Sequence, residues 1–376
     1  MKWYSVLTVV LFVAFTACTS KKEKEQVVSS TNEVKYATGF SIENYNNFTL
    51  LKITKPWPNA TTNFTYVCAK DAKAIPDSLK QFTFIQVPLK NVVVTSTTHI
   101  SSMVNLKEES QLVGFPHTDY ISSKQVRTLI DNGVVKDLGD NENLNFEKTL
   151  DVKPNAIIAL SIDDNIAKFE EFVKAGIPVV YNADWVENTP LGKAEWIKFF
   201  GVLFDQQEQA TSFFDQVVNE YNETKKLVKN ITNKPTVLSG GLYQDVWYAP
   251  QGESWMATFI NDAKGSYVWG ATKGTGSLSL SLEMALEKGD QAEFWIGPSS
   301  YSTYDEMLLA SNHYRSFQSF QNKKIYSFAL KTGQTGGVLF YEDAPNRPDL
   351  VLKDIIYVLH PKTLKNYQPT YIQSLK

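Results

Sequence analysis

Apolar and polar positions recur along this chain with two different periods, and the change of period marks its elements. Between Gln206 and Ile231 neither Gly nor Pro occurs, and Ala210, Phe214, Val217, Tyr221, Thr224, Val228 and Ile231 follow one another in steps of four and three. That spacing puts them on one stripe of an α-helix. Asp205 is the expected N-cap, with Glu208 three positions on, and Pro235 stops the segment. At 1.5 Å per residue the predicted helix is roughly 38 Å long, about the width of a small domain. It is either an ordinary core helix or a strut between two bodies, and the sequence on either side decides.

Before it, residues 37–54 alternate polar and apolar as in a hairpin, and 82–96 is β-rich, ending in the polar turn "STTH". A helix is expected near 100–110, a strand over 111–115 and a capped helix over 122–133. Residues 145–161 read as helix, turn and strand, and 164–182 as helix, glycine stop and strand. After the long helix the same order returns: strand 235–241, helix 254–265, helix–turn–strand over 279–297, the helix "YDEMLLASN", strand 323–329, and an amphipathic helix over 349–361 closed by Pro361. Apolar strands alternating with helices predict mostly parallel sheets. The fold expected is therefore α/β, two Rossmann-like lobes (36–204 and 234–376) joined by a single long backbone helix (205–233). The phrases "LNFEKTLDVKPNAIIALS" and "LSLEMALEKGDQAEFWIG" correspond across the lobes, each a capped short helix with Glu in its first turn, then a turn and a buried strand.

The N-terminal residues set the chain's context. Lys2 and the apolar run Val6–Phe15, too short to span a bilayer, read as a signal peptide over 1–17. Small Thr16 and Ala17 precede Cys18, which resembles a bacterial lipoprotein cleavage box, although Phe15 stands where Leu is usual. Residues 18–35 are then a lipidated, flexible polar tether, and the protein is expected in the periplasm, anchored to a membrane by lipid on Cys18. With Cys18 lipidated, Cys68 has no partner for a disulfide. With 37 basic and 40 acidic residues, a net charge of -3, the chain carries no electrostatic footprint for nucleic acid.

Four stretches together resemble one family: "LKNVVVTSTTHISSMVNL", "FEKTLDVKPNAIIAL" (with Asn155 in the place of an Asp), "AGIPVVYNADWVENTPLGKAEWIKFFGVLF" and "DLVLKDIIYVLHP". They are similar to the substrate-binding proteins of ABC importers for metal chelates such as iron–siderophore complexes, haem and cobalamin. The resemblance runs from about Asn91 to about Pro361, and extra strands on the first lobe are expected before it. It implies two lobes on one backbone helix, a chelate held between them, and a permease and ATPase as partners of a monomer. In the family one surface glutamate on each lobe docks on permease arginines; the matching positions are Glu147 and Glu283. Each also opens a helix, where the dipole alone favours a carboxylate.

The chemistry legible in single residues is a binder's. His99, His117, His313 and His360 show no paired ligand spacing for a metal site of the protein's own. No G-x-S-x-G nucleophile turn or Gly-rich phosphate loop is present. Aromatics are abundant, 8 Trp, 18 Tyr and 22 Phe, and several fall in loops after predicted strands, where open α/β sheets bind ligands. Their faces suit a large planar or chelate ligand. Candidate ligand contacts are Trp185, directly after the strand "PVVYNAD", with Tyr120, His117, Trp247, Tyr248 and Tyr301. Arg315 is a candidate counter-charge for carboxylate or catecholate groups. Trp196, at helical spacing, is expected in the core. The expectation is a binding protein, not an enzyme, whose ligand is a ferric siderophore-type chelate, with cobalamin or haem as alternatives. A lipoprotein enzyme or scaffold on the same fold is the alternative of another class.

Overall fold

The computed structural model describes residues 27–29, 34–140, 143–160, 162 and 164–376. The expected leader, Cys18 and most of the tether lie outside the described residues. Strands in chain order are β1 (Val27–Ser29), β2 (Phe40–Tyr45), β3 (Thr49–Ile53), β4 (Phe64–Ala69), β5 (Thr83–Gln86), β6 (Val92–Val94), β7 (Leu112–Phe115), β8 (Lys136–Asp137), β9 (Ala156–Leu160) and β10 (Val179–Asn182). They continue with β11 (Thr236–Ser239), β12 (Gly241–Tyr243), β13 (Val246–Pro250), β14 (Ser266–Tyr267), β15 (Ser277–Leu280), β16 (Phe294–Ile296), β17 (Ile325–Ser327) and β18 (Gln373–Ser374).

Two parallel sheets carry the molecule. One has the order β10-β9-β6-β7-β8, the other β14-β11-β16-β17-β18, in which only β18 runs antiparallel. Their inner strands are apolar, as "VVV" and "FWI", because helices cover both faces, whereas the short edge strands β8 and β18 are polar and exposed. The fold is thus mixed α/β with parallel sheets, of the class III periplasmic-binding type, as the sequence predicts. Before the first parallel sheet lies a five-stranded sheet β1-β2-β3-β4-β5, antiparallel but for β4–β5. It shares the first lobe's core through Phe40, Leu51, Ile53 and Cys68. The hydroxyl of Tyr66 on β4 accepts the Tyr181 N–H of β10 at 3.0 Å, so this added sheet covers an otherwise open strand edge.

The long helix runs Gln207–Lys226, about 30 Å. Ala210, Phe214 and Val217 belong to the first core, whereas Tyr221 and Val228, one stripe further along, belong to the second. Asp205 does not cap it. Asp205 is left-handed (φ 57) and its carboxylate pairs with Lys70 at 2.8 Å, so Gln206 takes the cap position with no side-chain bond. The helix also ends before Ile231, its last residues being turns.

A three-stranded antiparallel sheet, β12-β13-β15, sits over the carboxyl end of β11 and is absent from the sequence reading. Gly240 makes it possible: it is left-handed (φ 94), and a Cβ there would lie 2.1 Å from the Tyr248 carbonyl oxygen.

The chain enters the first lobe through two buried carboxylates. Glu195 accepts the backbone N–H groups of Lys35, Tyr36 and Ala37 at 2.6–3.0 Å and pairs with buried Lys198 at 2.9 Å. Glu187 accepts those of Thr38 and Gly39 at 2.8 and 2.7 Å, and the Trp196 indole N–H at 3.2 Å. Part of the expected tether is therefore structured: β1 pairs with β2, and Lys35 is gripped by Glu195.

Candidate ligand-binding cleft

The carboxyl ends of the parallel strands place the candidate side chains. After β7 the chain turns at His117, left-handed at φ 53, and Asp137 at the end of β8 holds that turn by accepting Thr118 N–H at 2.9 Å and Thr118 Oγ1–H at 3.1 Å. The turn presents His117 and Tyr120 together, ring centroids 5.6 Å apart, both exposed. After β10 comes the turn carrying Trp185, which is 39% exposed. Lys193 Nζ donates to the carbonyls of Asp184 and Trp185 at 3.2 and 2.8 Å and lies 5.3 Å above the ring of Trp255, a residue of the second lobe. Burial holds the Lys193 ammonium below its ordinary range, against the pull of Asp184 and Glu187.

On the second lobe, Tyr243 and Tyr248 stand on the outer face of the three-stranded sheet, ring centroids 6.4 Å apart, both exposed. Alternation along β13 turns Trp247 the other way. Trp247 is fully buried, packed on Trp295 at 5.1 Å and Phe317 at 5.5 Å. It is a core residue and no ligand contact, which corrects the expectation from sequence. Tyr301 is half-buried with its ring 5.9 Å from that of Tyr314. Arg315 is exposed on the turn Asn312–Ser316 and pairs with no carboxylate among the described residues. Trp196 is buried in the first core, as expected.

Sequence reasoning missed the residues by which the lobes meet. Lys193 of the first lobe lies over Trp255 of the second, and Trp255 is backed within its own lobe by Phe340, 5.7 Å away, with Phe340 on Phe328 at 4.2 Å. Trp255 falls inside the predicted helix 254–265 and Lys193 beside Trp196 in a stretch of helical spacing, where nothing distinguishes either from a packing residue. Near the turn that carries Trp185, His99 is fully buried next to Asp184 and Asn182, and burial lowers its pKa to about 4. A cavity of about 1600 Å³ lies elsewhere, between the β2–β3 hairpin and the polar face of the long helix, and none of the aromatic candidates lines it. Among the described residues no three His, Cys, Asp or Glu side chains gather as a metal site.

Glu147 and Glu283 occupy matched positions. Each is the second residue of its helix, exposed, behind a side-chain cap: Asn145 accepts Lys148 N–H at 2.9 Å and Ser281 accepts Met284 N–H at 3.3 Å. The carboxyl of Glu283 lies below its ordinary range because it accepts its own backbone N–H and the Ser281 hydroxyl.

Two α/β lobes built on parallel sheets and joined by one helix define a bilobal α/β protein. The chain belongs to the periplasmic binding protein family, whose sequence pattern it matches over residues 92–329. An uncharacterized lipoprotein of Methanocaldococcus jannaschii is 26% identical over 296 residues, 76% of this chain and 68% of the relative. Among solved structures, a periplasmic haem-binding protein of Vibrio cholerae superposes with a TM-score of 0.55 at 17% identity, covering 72% of this chain and 99% of that one. A siderophore-binding protein of the same organism, solved with Fe3+–Desferal, gives 0.52 at 16% identity, covering 72% and 99%. At these identities the structural likeness establishes the fold.

Proposed function

We propose that this protein is the substrate-binding subunit of an ABC importer that captures a ferric siderophore-type chelate between its lobes and delivers it to a permease, with no catalytic step. The observation that carries this reading is the set of exposed aromatics, His117, Tyr120 and Trp185 after strand carboxyl ends on the first lobe and Tyr248 on the face of the sheet β12-β13-β15 on the second. Aromatic faces in a cleft bind a broad chelate by area burial and stacking. Tyr301, at the margin, and Arg315, as counter-charge, complete the candidate set. The protein supplies no metal ligands of its own in this reading; the metal arrives inside the ligand. Glu147 and Glu283 are the docking carboxylates, one per lobe, each facing a permease arginine. Lipid on Cys18 holds the subunit at the membrane as a monomer.

A second reading, haem as the ligand, is favoured by one observation: the His117–Tyr120 pair offers imidazole and phenol side by side, both chemistries that ligate haem iron. Cobalamin has no comparable support. Uptake of iron-loaded hydroxamate siderophore, or of haemin, into cells with and without the protein tests the proposal. Uptake that depends on the protein supports it; uptake of every chelate unchanged by its deletion overturns it.

A further inference from the structure

The turn that carries His117 and Tyr120 is held from the other lobe. The segment Leu339–Asp343 of the second lobe lies against the helix Thr97–Asn105 and the turn 118–123 of the first. Glu342 Oε2 accepts the Ser122 N–H at 2.6 Å and Oε1 the Ser123 N–H at 2.9 Å. Around it, Ser122 Oγ donates to the Gly337 carbonyl at 2.8 Å, Thr335 Oγ1 to the Asp119 carbonyl at 2.7 Å, and Ser101 Oγ to Asp343 at 2.7 Å. Ser102 Oγ donates to Asn346 Oδ1 at 3.1 Å. The approach is so close that a Cβ on Gly337 would meet the Tyr120 carbonyl oxygen at 2.1 Å.

We infer that Glu342 is a proton-linked positioning residue, which fixes the His117–Tyr120 turn from the opposite lobe and, being buried without a cation among the described residues, favours the joined lobes more when its charge is neutralised. The ligand role of that turn rests on the proposed function; the grip itself does not.

The charges around Glu342 set the direction. On its own segment stands Asp343, a second carboxylate, which also accepts the Tyr371 hydroxyl. From the first lobe it meets backbone N–H groups. The nearest cation of the following helix, Arg127, is committed to the Thr118 carbonyl at 2.6 Å and to Asp131 at 3.9 Å. From the loop before it, Lys331 is committed to the Pro369 carbonyl. Asp119 and Lys124, at the ends of the turn, point to solvent as exposed side chains. No cation pairs with Glu342 among the described residues, and Glu342 is only 4% exposed. Burial, with Asp343 adding to it, outweighs the two N–H bonds and lifts the carboxyl to about 7. When the lobes part, Glu342 regains water and its ordinary value near 4.5. The closed arrangement thus binds the proton more tightly, so it is fully favoured below that ordinary value and weakens as pH rises toward 7. Full exposure on opening would change the closed-to-open ratio at most roughly 300-fold, the ratio of the two proton affinities.

The test is hydrogen exchange at the Ser122 and Ser123 amides, the two donors themselves, in the full chain without ligand. Rates are divided by those of an unstructured peptide at the same pH, over about pH 5 to 8. Wild type should lose protection tens- to a few hundredfold across that range. Glu342→Gln should show protection independent of pH. Ser101→Ala, which removes a neighbouring bond without a titrating group, should lower protection equally at every pH. His117, 3.6 Å from Asp140 at the far end of the turn, is the other titratable group nearby, and Glu342→Gln separates its effect. A flat wild-type profile, or a pH slope retained in Glu342→Gln, overturns the inference, and the wild-type profile decides alone if that variant does not fold. Because no chelate is present, the result is independent of whether the proposed ligand binds.

Discussion

Tyr221 on the long helix donates its hydroxyl to Asp262 of the second lobe at 2.8 Å, and Lys225, one turn on, reaches the other oxygen of the same carboxylate at 2.6 Å. Two turns earlier the same stripe, at Phe214, is inside the first core. One helix face is thus fastened to both lobes, and the fastening to the second is polar as well as apolar. Tyr221→Phe should keep the packing and lose the buried hydrogen bond, destabilising the chain by about 1–2 kcal/mol. Chemical denaturation measures it; a smaller effect than a few tenths would mean that Lys225 alone satisfies Asp262.

Two tryptophans separate ligand contact from packing. Trp247→Ala should cost about 3–5 kcal/mol of stability, the scale of a fully buried indole removed from a core. Trp185→Ala should cost little stability but weaken chelate binding by about 1–3 kcal/mol. Denaturation and titration of both variants check this; unchanged affinity in folded Trp185→Ala would assign Trp185 to packing.

His99 makes the first lobe sensitive to acid. Its imidazole titrates near 6.5 in the unfolded chain and near 4 when buried, so the unfolded state binds the extra proton between those values. Stability present above pH 6.5 should fall as pH drops toward 4, by roughly 3 kcal/mol in all for this group. Urea midpoints measured against pH should lose that slope in His99→Phe; an identical slope in the variant would place the acid transition on other groups. Glu342 acts in the opposite sense, favouring the closed lobes as pH falls.

The long helix was legible because its stripe is buried along its whole length: Ala210, Phe214, Val217, Tyr221, Thr224 and Val228 are all inside. Its start was not, because Asp205 is drawn by Lys70, far off in sequence, into a left-handed turn. Trp247 misled for a similar reason: the sheet β12-β13-β15 is assembled by pairing with Ser277–Leu280, about thirty residues on, which no local period announces. Lobe-to-lobe residues such as Glu342 and Trp255 acquire their roles only from the opposing surface.

Glu147→Ala and Glu283→Ala should each leave chelate affinity intact and weaken transport, and the double variant should nearly abolish it. Both carboxylates are exposed at the start of surface helices, and the ligand candidates follow the strand ends. Substitution by Lys should be worse than by Ala, since like charges then face each other. Transport is measured beside binding: normal uptake by the double variant would leave both glutamates as helix-end stabilisers, and lost binding would put them in the cleft.

The most direct test of the chelate-binding account is calorimetric titration of the purified protein with a ferric hydroxamate siderophore, a ferric catecholate, haemin and cyanocobalamin. The account predicts one-to-one binding of an iron chelate at about micromolar Kd or tighter, weakened in Trp185→Ala and absent for the metal-free siderophore or porphyrin at the same concentration. No binding by any of the four to the folded protein would contradict it.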